Sequence, residues 1–583
     1  MKLSPERGDN GNRAANDSPR EGVEMRKEFG LCIAVSLFLL GACGRPDPSD
    51  PSDPSDQSDP SDLSDQSDLW DLSDLSDLSD LSEPIAAFPD ASKWLSVEPA
   101  PAVTGETWRE FPAALGPGTL PWGRAPRLLV PKLLPGEAPV RLDGTHLTLD
   151  ELAAAAARIP AGRSVCAVVL DVDQVRALSA LGGRLISLVM LHELEDPAAL
   201  APFAALRALA IRVGSPLAAD AVRLPLLERL EVEVVPGGHA TLIDVAGALG
   251  QTAAGLRELS FHGELDAGSL RRLSELEGLE WLRLDWLPLS EPPDLAPLAR
   301  LRRLRTLALR GGAGLFDAAW DVTARLSGLR VLSLVSLAGD PVRASRAPGG
   351  LTALLLEGRL NESDVEALSR LGTLRALHLA ARGGGSDGVL DLEPLRRLRL
   401  SRLSLQGDFL LERPLHGLEA LRWIAMPGTR ALDLSAWTRL RALDLTLTSA
   451  WALRLPAGGR LERLRLQDVG EVPLRIHAGT LTDALSTQAI ELAVRSDGLS
   501  ELPSAWPSTL RFLELSSAGI DDGLWRTLAN LAGLERLSLA RAAITRPALD
   551  AFLRERSSPL RVMALHDTGA ARGRTLLREL ASK

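Results

Sequence analysis

Residues 227–234 read LERLEVEV and residues 279–286 read LEWLRLDW. In both, apolar side chains stand at the first, fourth and sixth places, with charged or aromatic residues between them. The last two apolar places alternate with polar ones, as in a short strand with one buried face. One such strand cannot bury its leucines alone, so the pattern demands neighbours that stack against it. The chain supplies them: LRTLALRG from Leu304, LRVLSLVS from Leu329, LRALHLAA from Leu374, LRALDLTL from Leu440, LERLRLQD from Leu461, LRFLELSS from Leu510 and LERLSLAR from Leu534. Pattern starts at 185, 206, 227, 256, 279, 304, 329, 351, 374, 400, 421, 440, 461, 510, 534 and 560 lie mostly 19 to 29 residues apart. A weaker unit surrounds Ile490, Glu491 and Leu492.

A leucine pattern recurring some seventeen times at this period resembles the leucine-rich-repeat family. The resemblance implies an α/β fold. It would be a horseshoe solenoid of about seventeen repeats, with a parallel concave sheet and a mixed helical and irregular convex side. Segments such as LNESDVEALSRLG (from Leu360) and DAGSLRRLSELEG (from Asp266) read as convex helices, with Asn361 or Ser363 as the N-cap of the first. LPAGGR, before Leu461, is too short for one. The sequence departs from the family at the place a few residues past the last Leu, where Asn often caps backbone groups in a ladder. Here that place usually holds Ala, Arg, Glu or Gly.

The 583 residues divide unevenly. From Met25 the chain reads MRKEFGLCIAVSLFLLGAC, a basic start and then an apolar run that is short for a bilayer span and suits a secretory signal. Leu40-Gly41-Ala42-Cys43 resembles the lipobox of bacterial lipoproteins. That resemblance implies cleavage before Cys43, lipidation of its thiol, and anchorage at the cell envelope, with Gly44 favouring the outer membrane over the inner. Residues 46–84 then repeat Pro-Ser-Asp and Leu-Ser-Asp triplets, which bury no core and repel one another. They hold twelve Asp, one Glu and no base, a charge of −13, so the whole chain's −11 leaves the remainder at +2.

The expected domains are therefore a signal peptide (1–42), a lipidated Cys with an acidic tether (43–84), an irregular lead-in and amino-terminal cap (85–164) and the repeats with a carboxy-terminal cap (165–583). In the amino-terminal cap, after a lead-in over 85–139, Thr148 and Glu151 are spaced as a capping box for an Ala-rich helix. RTLLRELASK at the carboxy terminus reads as a closing helix.

Several functions are disfavoured. A near-neutral repeat region offers no broad basic footprint for nucleic acid. Three cysteines, one inside the apolar run, cannot make a disulfide framework. HELED at His192 lacks the second His of a zinc motif, and GGGSDG at Gly383 lacks the Lys-Ser/Thr ending of a phosphate loop. Cys166 reads as a small packing residue. The expectation is a protein with neither enzyme activity nor cofactor.

The exposed places of each strand form columns. One column carries Glu233, His262 and Asp285 in successive repeats, with Arg229, Glu231, Glu258, Trp281 and Arg283 beside them. This suggests a polar binding patch with His262 between two carboxylates, or more sharply a divalent-metal site. Elsewhere the places are small (Ala376, Ala380, Ala442, Ala540), and Trp423, Arg463 and Arg465 stand out as anchors for a partner. A second column, after the first Leu, contains Arg305, Arg330, Arg375, Arg422 and Arg441, which could attract the acidic tether. The sequence thus points to a lipid-anchored envelope protein that presents a repeat surface to a protein partner. A structural or polysaccharide-binding envelope protein is the alternative.

Overall fold

The structure is a computed structural model. It describes residues 139–579 apart from 217–222, 236–237, 239, 242–243, 246–254, 287–292, 382–388, 412, 425–430, 448–451, 457, 459, 469–477, 497–502, 504–505, 518–519, 529–530, 556–559, 561 and 567–575. The signal, Cys43, the tether and most of the lead-in lie outside the described residues.

Each LxxLxL stretch contributes one strand to a single 20-stranded sheet. The strands follow chain order and pair in parallel from Val140–Asp143 to Val562–His566. The register matches leucine with leucine: Leu230 opposes Leu259, which opposes Leu282, then Leu307, Leu332, Leu354 and Leu377. Those side chains enter one continuous core that runs from Val140 to Leu565. Burying a leucine contributes roughly 1.5–3 kcal/mol over leaving it exposed, and only stacked units achieve it here. This is the leucine-rich-repeat solenoid that the sequence implies.

Backbone hydrogen bonds also link the units at the entry to each strand. The residue after the first Leu of each unit donates its N–H to the carbonyl of its counterpart one unit earlier: Glu228 to Arg207, Arg257 to Glu228, Glu280 to Arg257, Arg305 to Glu280, Arg330 to Arg305, and onward to Glu535, at 2.7–3.1 Å. The edge of the sheet is thereby paired at its turns as well as along its strands.

On the other face, helices and irregular segments return the chain. Ala267–Ser274 starts at Asp266, whose carboxylate accepts from the Ser269 N–H, and it buries Leu270 and Leu273. Glu362–Leu368 starts at Asn361, not Ser363; Asn361 and Asp364 form a reciprocal capping box. Asp364 also accepts from the Ala344 N–H at 2.7 Å, tying its helix to the preceding return. Close packing shows at Gly358, where an added Cβ would lie 2.6 Å from the Phe316 ring and 2.9 Å from the Asp340 carbonyl.

In the expected amino-terminal cap, Val140–Asp143 pairs with Val165–Val169 and extends the sheet. The helix Leu149–Arg158 follows that strand with the expected capping box. Two expectations need correction. At the other end, RTLLRELASK does not form a helix over Leu576–Glu579; that segment is a strand, antiparallel to Val562–His566. An edge strand exposes unpaired N–H and C=O groups, and a returning strand satisfies them where helical propensity alone would not. Finally, the unit begun at Leu421 is out of frame. Leu421 opposes Leu403 and Leu443, so the unit starts at Leu418 and Trp423 takes the place of its last leucine.

Candidate functional site

On the sheet face opposite the main core, four consecutive strands, Arg229–Val234, Glu258–His262, Trp281–Asp285 and Thr306–Gly311, gather most of the polar residues singled out above. Parallel register sets them in three columns. Arg229 opposes Glu258, which opposes Trp281; Glu231, Ser260 and Arg283 form the next column; Glu233, His262 and Asp285 form the third. The third column is longer than the sequence reading had it. Arg212 opposes Glu233 at one end and Arg310 opposes Asp285 at the other. Both arginines hold the same place in LRALAIRV and LRTLALRG, so extending the column by one unit each way would have found them.

The column therefore alternates basic and acidic side chains: Arg212, Glu233, His262, Asp285, Arg310. Arg212 Nε lies 3.2 Å from Glu233 Oε2. His262 Nδ1 lies 3.4 Å from Asp285 Oδ2, which also receives Arg310 at 3.4 Å and Arg283 at 3.5 Å. Arg229 and Glu258 meet at 3.0 Å. His262 thus leans on Asp285, while Glu233 is engaged by Arg212. Each carboxylate already faces a guanidinium, so the trio is an ion-pair ladder and not a ligand set. Among the described residues, no group of three or more His, Cys, Asp or Glu side chains is placed to hold a metal ion.

Neighbouring side chains cover these charges deeply. Asp285 is 3% exposed and Glu233 8%. Burial pushes the Glu231 carboxyl up from the usual range, opposed by Arg283 and Arg229. Burial also raises Glu233, against the pull of Arg212 and His262. At Asp285 burial works in the same direction, but the His262 hydrogen bond and the charges of Arg310, His262 and Arg283 outweigh it and hold the carboxyl below its ordinary value. Burial lowers Arg283 in turn. Arg283 Nε and Arg310 Nε are buried without an acceptor among the described residues. Each such group costs about 1–3 kcal/mol when no acceptor reaches it.

The next strands change character. Val331, Val335, Ala353, Leu355 and Ala376 form a small apolar cluster apart from the main core. They occupy the same columns of that face as the charges, on Val331–Ser336, Ala353–Gly358 and Ala376–Ala381. Of these residues the sequence reading had singled out only Ala376, as one of several small places. Beyond them sits His378, whose Nδ1 lies 2.8 Å from Ser404 Oγ and whose Nε2 is 3.8 Å from Glu357. Burial, reinforced by the positive charge of Arg422, pushes the His378 imidazole down to about 4.

The remaining anchors fare differently. Trp423 is not exposed: it is 1% accessible, and its Nε1 donates to the Gly407 carbonyl at 3.2 Å. The frame shift moves Arg422 as well, out of the column after the first Leu and onto the sheet face that carries the charged columns. There its guanidinium lies 3.6 Å from Asp444. Arg465 opposes Asp444 in the register and pairs with Glu491 at 2.7 Å, and Arg463 opposes Glu491. Arg463 and Arg465 are thus half-buried members of a second charged patch. Cys166 is buried within Val165–Val169, as a packing residue should be.

No protein-family model and no curated protein sequence matches the chain. Solved structures of similar architecture include an internalin from Listeria monocytogenes (13% identity, TM-score 0.29, 70% of this chain and 93% of that one). A second is TLR13 in complex with ssRNA13 (17%, TM-score 0.33, 74% of this chain and 61% of that one). The third is a leucine-rich-repeat protein from Leptospira interrogans (12%, TM-score 0.28, 66% and 90%).

Proposed function

We propose that this leucine-rich-repeat chain is a lipid-anchored protein of the bacterial cell envelope, and that its concave face receives a protein partner. One observation carries the binding half: the charged ladder from Arg212 to Arg310 and the apolar cluster around Leu355 lie side by side on one sheet. An apolar centre bordered by charged groups is the anatomy of protein interfaces. Trp281, half-buried between Glu258 and Thr306, adds an aromatic side chain of the kind that dominates such contacts. The anchoring half rests on the LGAC stretch and the acidic triplets that follow it.

The test uses two substitutions at partly exposed positions, Trp281→Ala and Glu258→Lys, in the full chain. A partner cross-linked to the parent in envelope fractions should be lost by at least tenfold in either variant, with the circular dichroism unchanged. Equal recovery by parent and variants sinks the concave-face assignment. Cys43→Ala should release the chain from membranes into the soluble fraction; continued membrane association would rule out the anchor.

A further inference from the structure

The column after the first Leu of each unit alternates in sign along much of the array. Arg207 pairs with Glu228 at 3.3 Å, Arg257 with Glu280 at 3.7 Å, Arg441 with Glu462 at 3.5 Å and Arg511 with Glu535 at 3.7 Å. The alternation lapses after Glu280, where Arg305, Arg330, Thr352, Arg375 and Ser401 follow one another, and only Arg305 and Arg330 set two like charges side by side. Arg330 donates its backbone N–H to the Arg305 carbonyl, so two arginines stand in adjacent units where a Glu would be expected next to an Arg. The turn before Leu304 adds Arg302 and Arg303. These four arginines, with Glu280 and Gly328, line an open cavity of about 600 Å³.

Nothing described neutralises this cluster. Glu280 is its one carboxylate, and Arg257 already faces it. Arg302, Arg303 and Arg305 make no ion pair among the described residues. Arg330 is steadied instead by neutral acceptors, donating through Nη1 to the Leu329 carbonyl at 3.2 Å and the Gly350 carbonyl at 3.4 Å. The lining therefore carries an excess of three positive charges, and guanidinium groups do not relieve it by losing protons. At Gly328 an added Cβ would sit 3.2 Å from the Arg302 carbonyl and 3.3 Å from that of Leu304. Glycine keeps that part of the lining clear of side-chain atoms.

From this geometry we infer an anion site for a phosphate group carrying at least two negative charges, as a phosphomonoester or diphosphate. The forked N–H groups of arginine match phosphate oxygens in pairs, and several forks converging from adjacent repeats favour a multiply charged oxyanion over a single carboxylate. The site lies outside the concave columns, so it is independent of the protein-binding reading.

Calorimetric titration of the full chain with inorganic pyrophosphate at low ionic strength tests it. The double variant Arg302→Gln/Arg305→Gln should bind at least tenfold more weakly, about 1.4 kcal/mol. The double variant Arg207→Gln/Arg441→Gln removes the same charge from paired positions and should change binding less than twofold. A parent chain that fails to bind, or equal weakening in both variants, overturns the site. A second arm distinguishes the source of the phosphate, using Cys43→Ser chains and vesicles that contain phosphatidic acid. Recruitment that needs Arg302 and Arg305 assigns a lipid headgroup, and pyrophosphate binding without recruitment assigns a soluble phosphate ester.

Discussion

Lowering the pH should destabilise the array through His378, and the size of the effect follows from its surroundings. The imidazole sits among Leu355, Ser404, Glu357 and Arg422, with its side chain 13% exposed. Burial first, and then the Arg422 charge, lowers its pKa from 6.5 to about 4. The sign is that of a depressed base. Above pH 6.5 the ring is neutral in both folded and unfolded chains. Between 6.5 and about 4 the unfolded chain takes up a proton that the folded chain does not, so stability falls as the pH falls. A shift of roughly 2.5 units sets a ceiling of about 3.4 kcal/mol at 1.36 kcal/mol per unit, and about 2 kcal/mol is lost by pH 5.

Other groups move the opposite way. Glu231, Glu233 and Asp444 are raised by burial, so their contribution grows as the pH drops into their range. The total pH profile therefore mixes signs, and only a comparison with His378→Gln isolates the ring. Urea unfolding of both chains at pH 7 and pH 5 should show the parent losing about 2 kcal/mol more than the variant. An NMR titration, with the His378 signal assigned by its absence from the variant, should place the imidazole midpoint near 4. Parallel unfolding profiles together with a midpoint at 6 or above would refute the reasoning.

Trp423→Ala should cost about 3–5 kcal/mol, the range for truncating a buried aromatic side chain, and its thermal midpoint should drop accordingly. An unchanged midpoint would mean that Trp423 is a surface anchor after all. Asp285→Ala removes the carboxylate that Arg283 and Arg310 share and leaves their charges without it, at about 3–5 kcal/mol in denaturant melts, whereas Glu228→Ala at an exposed pair should change them by less than about 1 kcal/mol. Gly358→Ala drives a methyl into Phe316 and the Asp340 carbonyl, and a loss of about 1–3 kcal/mol is expected by the same measurement.

The leucine spacing alone determined the architecture. Its period sets one strand per unit, its alternation selects the buried face, and its recurrence requires stacking. The column Glu233, His262 and Asp285 was readable for the same reason, since parallel register carries equal places in the repeat to equal places in space. Where the pattern admitted two frames, as around Leu418 and Leu421, sequence could not choose, because both frames place apolar residues inward. The tertiary structure chose by pairing Leu421 with its neighbours, and with that choice Trp423 went into the core and Arg422 onto the opposite face of the sheet. It alone decided the terminal strand too, since an edge is satisfied by whatever pairs with it and helical propensity has no access to that demand. Which charges are neutralised is likewise a matter of distance between units. Four arginines in a printed sequence look like any others; that they share a cavity with one already engaged carboxylate depends on where three repeats bring their turns.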